Sequence, residues 1–147
     1  NYIEVMKMDN IGYLFMNCSK KLKYELNEAL MMKNITIQQW TVMNQVELNN
    51  SWGKTSTSVE IGKNLDMDKP TISGIVKRLE KKGYIIKERN IEDNRSYYLQ
   101  LTSDGKHIVQ ACQQLSDEIV KFFLKPLTKH EITNLQNILM KLNKEEF

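Results

Sequence analysis

Long apolar runs are missing from this chain. No hydrophobic stretch approaches the roughly 20 residues needed to span a bilayer, and no signal-peptide pattern opens the chain. No membrane is therefore expected. Cysteine is scarce: Cys18 and Cys112 are the two in 147 residues. They lie far apart within amphipathic helical patterns, which argues against a disulfide framework and fits buried thiols in a reducing cytoplasm. Histidine occurs only at His107 and His130. Each stands singly, and His107 lies five residues from Cys112, a poor spacing for chelation from one helix face. With no paired-cysteine motif either, no metal and no cofactor is expected. A nucleophile elbow and a phosphate loop are also missing, so catalysis is not expected. Proline occurs at Pro70 and Pro126, and both positions read as helix punctuation. The chain opens on Asn1, so a natural start upstream of it is expected.

What is present is ordinary in bulk and uneven in placement. Hydrophobic content of 41% and charged content of 27% suit a globular protein of one domain, or two small lobes sharing a core. The net charge is a mild +3. From Lys69 to Arg95, eight basic residues face four acidic ones, a local +4. The remainder is then slightly acidic, and such a block points to a localised polyanion site.

That block contains the most informative stretch, Asp68 to Lys82, DKPTISGIVKRLEKK. Asp68 is a good N-cap and Pro70 suits the first helical turn. Ile72, Ile75, Val76 and Leu79 form one buried stripe. The opposite face carries Pro70, Gly74, Lys77 and Lys81, flanked by Ser73 and Arg78. Small residues permit close approach, hydroxyls bond phosphates or bases, and long cations reach phosphate oxygens or guanine edges. Taken alone, such a helix is equally a solvated amphipathic one, and its neighbours decide between the two.

Before it, the spacing predicts a long helix from about Ile3 to Met32, with Ile11, Phe15, Cys18, Leu22, Leu26 and Ala29 as an apolar seam. Thr36 and Gln39 form a capping box that opens a helix to about Leu48. Asn49 to Thr55 reads as a loop or short strand. Thr57 and Glu60 form a second capping box on a short helix, followed by a turn of about four residues and the Asp68-capped helix, a helix-turn-helix layout. Gly62 inside the short helix costs about 1 kcal/mol against alanine, which close crossing by the next helix would offset. Gly83 ends the Asp68 helix. Tyr84–Arg89 and Ser96–Leu101 read as a β-hairpin whose tip holds Asp93 and Arg95. Thr102 caps a helix to about Lys125 in which Ile108, Cys112, Leu115, Ile119 and Phe122 form a heptad seam. Thr128 and Glu131 open a last helix with Ile132, Leu135, Ile138, Leu139 and Leu142 inward.

The order is helix, helix, helix-turn-helix, hairpin, long helix, last helix. It resembles the MarR family of winged-helix transcription regulators over nearly the whole chain. The most specific part is DKPTISGIVKRLEKKGYI followed by EDNRSYYLQLTSDG, where Asp93, Arg95, Leu101, Thr102 and Gly105 occupy the family's wing positions. The resemblance implies a mainly α fold with a small β-wing: one MarR-type domain over 1–147, with a winged helix-turn-helix DNA-binding lobe over 36–101 and a helical dimerisation lobe from 1–35 and 102–147. It implies a homodimer, a cytoplasmic transcription regulator, usually a repressor of pseudo-palindromic double-stranded DNA sites, and release by a small aromatic effector. Two departures stand out. The family's common alanine is Gly62 here. Cys18 lies about a turn and a half beyond the cysteine through which one branch senses peroxides, so that role is not carried over.

The expected interface follows. Pro70, Thr71, Ser73 and Gly74 approach bases or backbone, Lys69, Lys77 and Arg78 neutralise phosphates, and Arg95 enters a minor groove with Asp93 orienting it or a neighbouring cation. Ile108, Cys112, Leu115, Ile119, Phe122, Ile132, Leu135 and Leu139 are the dimerisation candidates. Tyr13, Phe15 and Trp40 are candidate effector contacts. The rival readings are a thiol sensor of the same fold acting through Cys18 and a winged-helix protein-interaction module that binds no DNA.

Overall fold

A computed structural model describes residues 10–144. The elements are α1 (Ile11–Met31), α2 (Ile37–Ser51), β1 (Ser56–Thr57), α3 (Ser58–Asn64), α4 (Lys69–Lys81), β2 (Ile85–Arg89), β3 (Tyr97–Leu101), α5 (Ser103–Phe123) and α6 (Lys129–Lys144). The stretch 3–9 of the first expected helix lies outside the described residues.

Each helix start follows from its cap. Thr36 and Gln39, Thr57 and Glu60, and Thr128 and Glu131 form reciprocal capping boxes. Asp68 Oδ1 accepts from the Thr71 N–H at 2.8 Å, and Thr102 Oγ1 accepts from the Gly105 N–H at 3.0 Å. Gly83, at φ 80°, ends α4 as its sequence predicts.

The expected break at Asn49 comes later than the sequence suggests, because α2 continues to Ser51. Asn49 is nearly buried and its side chain is occupied on both ends. It donates to Ser56 Oγ at 2.7 Å and to Asn64 Oδ1 at 3.2 Å, and it accepts from Gln45 Nε2 at 2.9 Å. This polar bolt ties the end of α2 to β1 and α3.

The sheet is antiparallel with order β1-β3-β2. Strands β2 and β3 form the predicted hairpin, pairing Ile85 with Leu101 and Arg89 with Tyr97. Strand β1 adds an edge through Ser56 opposite Leu99.

The chain divides into two compact units, Leu26–Leu115 and the two chain ends that flank it. The middle unit is the winged one. It is wider than the expected 36–101 because its core recruits neighbours on both sides. Leu30 and Ile35 enter from one end, Val109 and Cys112 from the other, joining Met43, Val46, Ile61, Ile72, Leu79, Ile85 and Leu99. The crossing of α3 and α4 is close at Gly62. A side chain there would begin 3.1 Å from the Met67 carbonyl oxygen and 3.2 Å from Ile72 Cγ2. The helical unit, described over 10–25 and 116–144, differs in kind: none of its described residues is buried.

Candidate nucleic-acid interface

The α4 helix separates its two faces sharply. Ile72, Ile75, Val76 and Leu79 are buried. Lys69, Pro70, Thr71, Ser73, Lys77 and Arg78 are exposed, and Gly74 is half-buried. The guanidinium of Arg78 lies 3.7 Å from where a Gly74 side chain would begin. Arg78 therefore reaches back over the gap that the glycine leaves. All the α4 candidates are brought onto one rigid element whose back is fixed in the core. At its start, hydrogen bonds from the Thr71 hydroxyl and backbone N–H hold the Asp68 carboxyl below the usual carboxylate range.

The wing tip is held by its own polar groups. Asn90 Oδ1 accepts from the Glu92 N–H at 3.0 Å, and Asn90 Nδ2 donates to Ser96 Oγ at 3.1 Å. Asp93 Oδ1 accepts from the Arg95 N–H at 3.0 Å, and the Asp93 carbonyl accepts from the Ser96 N–H at 3.1 Å. Asp93, expected to orient Arg95 or a neighbouring cation, meets Arg95 through that residue's backbone amide. Its carboxylate closes a turn onto the backbone amide, as Asp does in tight turns, and leaves the exposed Arg95 guanidinium unpaired among the described residues.

The dimerisation candidates divide between the units. Ile108 packs against the winged core, and Cys112 is wholly buried in it. Burial raises the Cys112 thiol above its ordinary pKa, with Lys33 opposing. A side chain fully enclosed by its own chain has no surface to give a partner, so Cys112 is withdrawn from the expected interface. Leu115, Ile119, Ile132 and Leu135 are half-buried, while Phe122 is 76% and Leu139 37% exposed.

The aromatic candidates also part company. Trp40 is buried in the winged core, and its indole N–H has no partner there. Phe15 lines an apolar groove of about 460 Å³ in the helical unit, with Leu14, Cys18, Leu135 and Leu139. Tyr13 is 44% exposed on the same helix as Phe15. Cys18, expected inside, is exposed along that groove, because its seam meets no covering layer among the described residues of the unit. Among the described residues no cluster of three metal-ligating side chains occurs, and no helix is long and apolar enough to cross a membrane.

Sequence reasoning missed two features near the interface. One is the Asn49 bolt. The other is Lys82, whose ammonium donates to the Asn34 carbonyl and, at 3.1 Å, to Gln39 Oε1. Neither has a periodic signal, since both depend on residues distant in sequence.

A short helix, a turn, an exposed basic helix and a rigid two-stranded tip backed by one core define a winged helix-turn-helix protein. A family model described as "Transcriptional regulator SarA/Rot" matches residues 20–112. The chain is 27% identical over 137 residues to the HTH-type transcriptional regulator FarR of Neisseria gonorrhoeae, covering 93% of this chain and 90% of that one. A mutant MarR from Escherichia coli is similar in structure, with a TM-score of 0.80 at 28% identity, over 90% of this chain and 96% of that one. The same mutant complexed with operator DNA gives 0.74 at 28% identity, over 92% and 95%. The chain belongs to the SarA/Rot family of transcriptional regulators, of MarR-type winged-helix fold, and is a DNA-binding transcription regulator.

Proposed function

We propose that the protein acts in the cytoplasm as a homodimeric repressor on a pseudo-palindromic operator. Each α4 enters a major groove, and the two are about 34 Å apart, one turn of B-DNA. Thr71, Ser73 and Gly74 face bases or backbone, with Pro70 beside them. Lys69, Lys77 and Arg78 neutralise phosphates, and Arg95 reaches the adjacent minor groove, which A·T-rich sequence narrows. The relative solved with operator DNA supports this reading. The observation that carries it is the helical unit, in which no described residue is buried. Its apolar side chains, Phe122 and Leu139 among them, require a cover, and a second copy supplies a self-complementary one. An anisotropy titration of fluorescent duplex, combined with sedimentation, tests it. Two chains per duplex and steeply salt-dependent affinity are expected. A monomer at working concentration, or binding indifferent to salt, would overturn it.

A second reading has one specific observation behind it. Cys18 is exposed and lines the apolar groove, so oxidation there would place a polar group among apolar ones. Release of DNA by peroxide in the parent, and none in Cys18→Ser, would establish thiol sensing. Equal behaviour of the two would remove it. Effector release through the same groove is tested by adding small aromatic acids to the DNA complex.

A further inference from the structure

We propose that the winged unit carries an oxyanion site at the C-terminal end of α4, bordering the helix front that faces the groove and sharing Arg78 and Lys81 with it. There a cavity of about 500 Å³ opens between the last turn of α4 and the corner joining α1 to α2. Arg78, Lys81 and Lys82 line it from α4, and Asn34, Thr36 and Gln39 from the corner. No carboxylate lines it. The carbonyl end of a helix carries about half a negative charge. Three full positive charges within five residues outweigh that, and one cation would suffice to complement the helix end.

Gln39 is the second, independent indication. It is 5% exposed. Its Oε1 is fully used, accepting from the Thr36 N–H at 3.2 Å and from Lys82 Nζ at 3.1 Å. Its Nε2, a double donor on a side chain lining the cavity, has no partner among the described residues. Lys82 is also fixed by the Asn34 carbonyl. The cavity thus holds one cation already oriented and one unspent amide donor, with Arg78 and Lys81 on its wall. A phosphate group, with several acceptor oxygens and up to two negative charges, matches that donor set. Its source is either a backbone phosphate of bound DNA or a free phosphorylated molecule.

The experiment uses the full chain, with inorganic phosphate as the probe and chloride at matched ionic strength as the control. Gln39→Glu is the decisive variant. Glutamate keeps the capping-box acceptor and the acceptor for Lys82, so the fold is retained, but it replaces the donor with a negative charge. Thermal melting by circular dichroism checks the fold. Equilibrium dialysis should show one phosphate per chain in the parent, weakened about tenfold or more in Gln39→Glu and in Lys81→Ala. A second arm measures DNA affinity against salt. A slope reduced by about one in Gln39→Glu assigns the site to a DNA phosphate. An unchanged slope with intact phosphate uptake assigns it to a free anion. The proposal is overturned if the parent takes up no phosphate and the slope is unchanged, or if parent and variants take up phosphate equally. The dialysis arm contains no DNA, so its failure is distinguishable from failure of the operator-binding reading.

Discussion

The carbonyl oxygen of Tyr84 lies 2.1 Å from the point where a side chain on Gly105 would begin. That carbonyl also accepts from the Thr102 N–H at 3.0 Å, and the Thr102 hydroxyl donates to the Gly83 carbonyl at 2.6 Å. The exit of α4 and the entry of α5 are thereby clamped face to face, with the hairpin between them. The obstacle to any Gly105 side chain is backbone, which cannot swing aside. Gly105→Ala should therefore destabilise the winged unit by about 3 kcal/mol, read as a lower midpoint in urea. A midpoint equal to the parent's would show that the clamp yields easily.

Arg95 and Asp93 make a sharper pair of tests than Arg95 alone. Arg95→Ala should weaken operator binding by about 1–3 kcal/mol. Asparagine at position 93 retains an oxygen for the Arg95 amide, so Asp93→Asn should bind nearly as the parent does. Asp93→Ala removes the acceptor, loosens the tip and should weaken binding toward the Arg95→Ala value. If Asp93→Asn were as damaging as Asp93→Ala, the charge on Asp93 would matter and the backbone turn would not be its role.

These two cases mark what was legible in the sequence. The wing motif and the capping residues are local, so Thr36, Thr57, Asp68 and Thr128 announce their helices within four residues. The stripe of α4 is periodic, and its burial follows from spacing alone. Gly105 was visible as a motif position, but the reason for it lies in Tyr84, twenty-one residues away. The heptad seam of α5 was also visible, yet periodicity says only that a face is covered, not by what. Its first half, Ile108 and Cys112, is covered by the chain's own winged core, and its later part, ending at Phe122, remains open. Cys18 shows the same ambiguity from the other side, an apolar seam position left bare.

Asp68 gives the fold a pH dependence at its most functional helix. Its carboxyl is held below the usual range by hydrogen bonds from Thr71. A group whose pKa is lower in the folded state contributes stability above its unfolded pKa and loses it as pH falls through the folded value. Stability should thus decline in the acid limb below the ordinary carboxylate range, and Asp68→Ala should flatten that part of the profile while lowering stability at neutral pH. The same acid slope in parent and variant would assign the loss to other carboxylates.

The two thiols should separate kinetically. Cys112 is enclosed, and burial keeps it protonated at neutral pH. A maleimide should modify it only as fast as the winged unit opens, and denaturant should release it. Cys18 lies in the open along the apolar groove of a single chain, and its rate should fall as protein concentration rises and a second copy covers it. Equal rates for both thiols in the native protein would contradict the placement of Cys112.

Association itself is tested through Phe122 and Leu139, exposed in one chain at 76% and 37%. Burying a phenylalanine or leucine side chain fully contributes about 1.5–3 kcal/mol, and in a two-fold dimer each substitution acts twice. Phe122→Asp combined with Leu139→Asp replaces that gain with four carboxylates forced toward an apolar face. Sedimentation should show a monomer at concentrations where the parent is a dimer. The winged core draws none of its buried residues from 116–144, so the variant should keep its urea transition for that unit. Operator affinity should fall steeply, because a lone α4 loses the second half-site, while weak salt-dependent binding to random duplex persists. A variant that stayed dimeric would move the interface elsewhere. One that became monomeric yet bound operator as the parent does would show that a single winged unit suffices.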